Sequence, residues 1–130
     1  MYISVIEKIF KDVMYISEDT KIDVNKSLFL DYDMTSIDFI DFSFELKKNL
    51  NIDITPDTLW PINKMATLEE NYSFKDKKWT PEGISRLNRQ LKFSDKTVTN
   101  DSEIEFKELY KYFTIYYINQ KLIHSLQNSE

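Results

Sequence analysis

The 130-residue sequence predicts an all-α fold: a small helical bundle with a long first loop and an additional helical insertion before the last helix. Three observations predict it. Apolar residues recur at three- and four-residue spacing in separate stretches. Prolines and hydroxyl residues stand where those stretches begin or stop. No internal repeat or low-complexity run interrupts the pattern.

Residues 2 to 16 place Ile6, Ile9, Val13 and Ile16 on one helical face, flanked by Ile3 and Phe10. Glu7, Lys8, Lys11 and Asp12 break the apolar run, which makes this an amphipathic helix and not a signal peptide or membrane span. Ser17 to Met34 is polar around the anchors Val24, Leu28, Phe29 and Leu30, and reads as a long loop pinned by those side chains. Thr35 or Ser36 caps a second helix running to about Leu50. Pro56 and Pro61 allow at most a short turn between them, and Asn63 to Trp79 reads as irregular. The run Thr80 to Gly83 sets a cap and a first-turn proline, opening a helix to about Phe93. Its apolar face is Ile84, Leu87 and Leu91; its basic face is Arg86, Arg89 and Lys92. A last long helix is expected from about Glu103 to Leu126, with Phe106, Leu109, Tyr110, Phe113 and Tyr117 as its core stripe. A second stripe, Ile115, Ile118 and Leu122, could serve the core, an acyl pocket or a dimer contact.

The length suits one domain, 1–130, able to bury about two thirds of its unfolded surface without a staple. Zero cysteines exclude disulfides, thiolate metal sites and cysteine nucleophiles. Nothing argues for secretion, and a cytoplasmic protein is expected. The net charge of −5 disfavours nucleic acid, which is bound through Lys and Arg displacing counterions from phosphates. The charge is uneven: Leu28 to Leu59 is acidic and Lys75 to Lys96 basic. Gly83 is the only glycine, so no glycine-rich phosphate cradle is present.

The second helix carries more than a core needs. Wound at roughly 100° per residue, it places Phe39, Phe42, Leu46 and Leu50 on one stripe and Ile37, Ile40 and Phe44 on roughly the opposite side. Asp38, Asp41 and Glu45 fill the arc between them. Two readings follow. Either the basic helix covers the second stripe, or that stripe is offered to a partner, apolar anchors giving affinity and carboxylates giving steering and register.

The order of features resembles the acyl carrier protein family: a first helix, a long loop with "SLFLDYDM", a serine opening an acidic helix, then "LNIDI" and a proline. The closing "IEFKELYKYFTIYYI" is similar to that family's last helix. The resemblance covers roughly residues 2 to 56 and 103 to 118. It implies a core of 2–56 and 103–124 with an extra segment, 57–102, longer than is usual there. It also implies a covalent 4′-phosphopantetheine on Ser36, the serine of a Gly-x-Asp-Ser-Leu motif, with Ile37 at the leucine. Asp38, Asp41 and Glu45 would then face Arg and Lys on partner enzymes, with Ile37, Ile40 and Phe44 against their apolar patches. The implied partners are a phosphopantetheinyl transferase and acyl-loading and acyl-transfer enzymes, met by a monomer; Arg86, Arg89 and Lys92 form a possible second surface. Two positions depart from the motif: Asp33 stands at the family's glycine, and Thr35 at the aspartate that helps the transferase and its metal engage the carrier.

Rival chemistry is thin. A hydrolase using Ser36 needs a base, and the only histidine is His124, near the C-terminus. Asp31, Asp33 and Asp38 lack the spacing and glycine of a calcium loop, so no metal is expected. The chain is therefore read as a carrier and not an enzyme, with a protein-binding adaptor of the same fold as the alternative.

Overall fold

The structure is a computed structural model that describes residues 2–61, 74–75, 78–94 and 106–127. Helix α1 spans Ile3–Met14, α2 Ser36–Leu50 and α3 Pro56–Leu59; a minimal hairpin pairs β1, Phe74–Lys75, with β2, Lys78–Trp79; α4 spans Pro81–Leu91, α5 Phe106–Leu109 and α6 Ile115–Gln127. The all-α expectation holds apart from that hairpin, an antiparallel pairing of Phe74 with Trp79 and Lys75 with Lys78, where the sequence reads as irregular. Residues 63–73 and 76–77 of that stretch lie outside the described residues, as do 103–105 at the expected start of the last helix.

Amphipathic periodicity sets the packing. Helix α1 buries Ile6, Ile9 and Phe10, and α2 buries Phe42 and Leu46; the Phe10 and Phe42 rings meet edge to face at 5.9 Å. Helix α1 packs on both α2 and α6. Helix α2 ends on Asn51 in the left-handed conformation at φ 52°, which asparagine tolerates better than most residues. Helix α4 starts as its sequence requires, with Thr80 Oγ1 accepting from Gly83 N at 2.9 Å and Pro81 in the first turn. Its Leu87 and Leu91 join Leu59, Trp60 and Trp79 in the same buried cluster as the side chains of α1, α2 and α6.

The last helix is not continuous. Helix α5 tightens into a 3-10 turn, Tyr110–Tyr112, and the backbone leaves helical geometry at Phe113, at ψ 92°. Thr114 Oγ1 then accepts from Tyr117 N at 3.0 Å, restarting the chain as α6. The long first loop fills the break: Ser27 Oγ donates to Tyr110 O at 2.7 Å, Leu28 N to Phe113 O at 3.0 Å, and Tyr116 N to Val24 O at 3.0 Å. Carbonyls and amides that a straight helix would satisfy internally are spent on the loop, so helical periodicity survives while the helix does not. Phe29 of the loop stacks on Phe113 at 4.8 Å. The second stripe resolves as core: Ile115, Ile118 and Leu122 are all buried.

Candidate functional site

The site begins in the turn before α2. Met34 is buried, and its amide donates to Leu28 O at 3.0 Å, drawing the end of the loop onto the core. Asp33, just before it, lies in the left-handed region at φ 57°. Glycine takes that conformation without steric cost and aspartate is among the few other residues that visit it routinely. Asp33 thus holds a backbone geometry that glycine adopts freely.

Thr35 is the cap and Ser36 the first helical residue. Thr35 Oγ1 accepts from Asp38 N at 3.2 Å, while the Asp38 carboxylate accepts from Thr35 N at 3.0 Å and Thr35 Oγ1 at 2.9 Å. This reciprocal capping box engages the Thr35 hydroxyl and amide and one oxygen of the Asp38 carboxylate. Ser36 is left free: it is exposed, and neither its hydroxyl nor its amide is bonded to another described residue. The Ile37 amide is likewise unbonded. Two bare N–H groups at the positive end of the helix dipole make this a favourable place for an anion held beside Ser36.

The structure separates the other predicted residues. Ile37 is 72 % exposed, Phe44 54 % and Ile40 44 %, so helix α4 does not cover the second stripe. The Asp41 carboxylate is exposed with no hydrogen bond or ion pair among the described residues; that of the half-buried Glu45 accepts only from Asn49 Nδ2, at 3.3 Å. Asp38 differs from both, because its carboxylate is turned back onto the helix start. Arg89 and Lys92 are exposed and Arg86 is half-buried on the far side of α4 from Leu87 and Leu91. His124 packs its ring against Phe93 at 5.3 Å. Of the aspartates weighed as metal ligands, Asp31 accepts from Ser27 N at 2.8 Å and Asp38 from Thr35.

Sequence reasoning missed two features. Tyr15 closes α1 in the left-handed conformation at φ 57° with its side chain 96 % exposed, and the helix stops at Met14, two residues before the end that the apolar spacing through Ile16 predicts. Lys121 lies largely buried between three elements: Nζ donates to Leu59 O at 3.2 Å, Gln90 Oε1 at 2.8 Å and Tyr117 Oη at 3.2 Å. Burial with no carboxylate partner among the described residues lowers its pKa to about 7. A lone lysine in a polar sequence gives no sign of this.

Among the described residues no helix is long and apolar enough to cross a membrane. No curated protein and no solved structure matches the chain. Residues 4–70 match the family described as the phosphopantetheine attachment site, a span holding all of α1 but Ile3, the long loop, α2 and α3. Domains of that family bind 4′-phosphopantetheine covalently, work with partner enzymes such as transferases and are generally non-catalytic. With 67 of its 130 residues inside that match, on an all-α bundle whose second helix opens on an exposed serine, the chain belongs to the phosphopantetheine attachment family, that of the acyl carrier proteins.

Proposed function

We propose that Ser36 is the attachment residue, and that the protein presents an acyl or related chain to partner enzymes that dock on α2. The supporting observation is the division of labour at the helix start. Thr35 and Asp38 satisfy the cap between them, which leaves the Ser36 hydroxyl and the Ser36 and Ile37 amides unengaged. These groups fit the cofactor: a phosphodiester on Ser36 Oγ would stand where two unpaired N–H groups and the helix dipole favour negative charge. The left-handed Asp33 supports the same register, since it falls three residues before Ser36, where the motif has glycine.

When bound, the arm supplies a thiol that holds the cargo as a thioester. The chain's own residues hold and orient. Ser36 anchors; the capping box fixes the first turn; Ile37, Ile40 and Phe44 give partners an apolar surface; Asp41 and Glu45 steer and register basic side chains. Asp38 serves first as a positioning residue. Under this reading 1–130 is one domain, with 2–56 and 103–124 as carrier core and 57–102 as an added element whose Arg86, Arg89 and Lys92 offer a second surface. It works in the cytoplasm as a monomer with a phosphopantetheinyl transferase and acyl-loading and acyl-transfer enzymes.

Incubation of the full chain with coenzyme A and a panel of transferases, read by intact mass and peptide mapping, tests the assignment. The expected result is a phosphopantetheine adduct on Ser36 that disappears in Ser36→Ala. An adduct on another residue, or none with any transferase and none on protein from its native host, overturns it. The exposed Ile37 and Phe44 would equally serve a non-carrier adaptor. In that case Ser36→Ala leaves partner binding and biological activity intact.

A further inference from the structure

The core uses one face of α1, through Ile6, Ile9 and Phe10. A different row, Val5, Lys8, Asp12 and Tyr15, borders a groove of about 770 Å³ whose other wall carries Asp41 and Glu45 of α2. The groove is acidic: three carboxylates face one ammonium. The side chains of Lys8, Asp12 and Asp41 make no hydrogen bond or ion pair with a described residue, so this charge is uncompensated among the described residues. No three acidic or imidazole groups among the described residues stand close enough to hold one metal ion. The charge therefore suits spread cationic side chains, and its sign repels nucleic acid and anionic lipid.

Tyr15 gives the groove an anchor. Its left-handed backbone would cost less with glycine or asparagine, and its ring, 96 % exposed, gives almost no burial in return. An aromatic face in that position can stack on a guanidinium, which ammonium-bearing side chains match less well. The groove also shares Asp41 and Glu45 with the exposed ridge of α2, so the two surfaces are continuous.

We propose that the docking face extends from α2 onto α1, and that the groove between them receives an arginine-bearing segment of the partner enzyme, stacked on Tyr15 and paired with Asp12, Asp41 and Glu45. This rests on the carrier reading of α2. It adds a recognition element on a helix that reading leaves purely structural.

The test uses the full chain, isotopically labelled, and a synthetic helical peptide of about 15 residues with arginines along one face and leucines beside them. The expected result is amide shift changes at Val5, Asp12, Tyr15, Asp41 and Glu45, with affinity lowered about tenfold by Asp12→Asn with Tyr15→Asn. Asparagine is chosen at 15 because it accepts the left-handed backbone, so the fold is kept. A charge control, Asp57→Asn, an exposed carboxylate on α3 that does not line the groove, should weaken binding less than about twofold. A lysine-for-arginine peptide should bind several-fold more weakly. Shift changes confined to α2, equal weakening by the control, or no binding at low salt each overturn the proposal. Intact mass after incubation with coenzyme A and transferases is read in parallel on the same protein. Absence of the Ser36 adduct here and on protein from its native host would refute the carrier reading, whereas a normal adduct with an inert groove would refute only the extension onto α1.

Discussion

Thr35 and Asp38 clasp each other across the first turn of α2, the carboxylate accepting from Thr35 N at 3.0 Å and Thr35 Oγ1 accepting from Asp38 N at 3.2 Å. The pair makes a working helix start with no aspartate directly before Ser36. An aspartate before the serine would cap α2 through its carboxylate; threonine does so through its hydroxyl, with Asp38 closing the box from the other side. Thr35→Ala should therefore cost about 1 kcal/mol in urea unfolding, and Thr35→Asp should cost only a few tenths. A double cycle with Asp38→Ala should show coupling of at least about 0.5 kcal/mol, as expected for residues in direct contact. If the two substitutions simply add, the box contributes nothing and Asp38 is free to serve as a docking charge.

The left-handed turn at Asp33 makes a second prediction. Asp33→Gly removes a side chain from φ 57°, and its steric relief offsets the entropy gained by the unfolded chain, so stability should change little. Asp33→Val adds a branched side chain where it clashes with the backbone and should cost about 1–2 kcal/mol. Urea midpoints measured for both variants check the order. Equal losses in the two would mean that Asp33 is held by its carboxylate and not by its backbone angle.

Two phenylalanines on the same helix should behave in opposite ways. Phe42 is fully buried against Phe10, and Phe42→Ala should lose about 3–5 kcal/mol through lost burial and a residual cavity. Phe44 is 54 % exposed, and Phe44→Ala should stay within about 0.5 kcal/mol of the parent. Partner affinity should invert the ranking, falling for folded Phe44→Ala. A large stability loss at Phe44 would show that the ring belongs to the core.

How legible all this was depends on range. Local rules found α1, α2 and α4 to within about two residues and allowed α3 only as a short turn, because caps, prolines and apolar spacing act within one or two turns: Thr80 and Pro81 open α4 as read. The two apolar stripes of α2 were also visible, but which one met solvent was not, since that depends on where α4 packs. The break at Phe113 was hidden for the same reason. Its residues keep helical spacing, and only Ser27 and Leu28, more than eighty residues earlier, explain why the backbone departs from the helix. Lys121 illustrates the limit most plainly. Its three partners come from α3, α4 and α6, and no local pattern brings Leu59, Gln90 and Tyr117 together.

That largely buried lysine should make stability depend on pH. Its native pKa of about 7 lies well below the unfolded value of 10.5, the cause being burial; the Tyr117 ring, 5.6 Å from Nζ, favours the cation and only partly opposes this. Below pH 7 both states are protonated and the native state bears the full cost of a buried charge. Between pH 7 and about 10.5 the unfolded chain holds the proton and the native chain does not, so stability rises with pH across that window. Tyr117 works the other way: burial raises its pKa, so its contribution is complete below the unfolded value of 10.0 and fades as pH climbs past it. Urea unfolding at pH 6, 8 and 9.5 should show a gain of a few kcal/mol at most, since Lys121 keeps some contact with solvent. Lys121→Met should flatten that rise and be relatively most stabilising at pH 6, because it deletes the buried charge while Tyr117 Oη still donates to Leu59 O at 3.1 Å. If Lys121→Met follows the parent curve in parallel, the ammonium is solvated in the native state, and the junction of α3, α4 and α6 is held by packing alone.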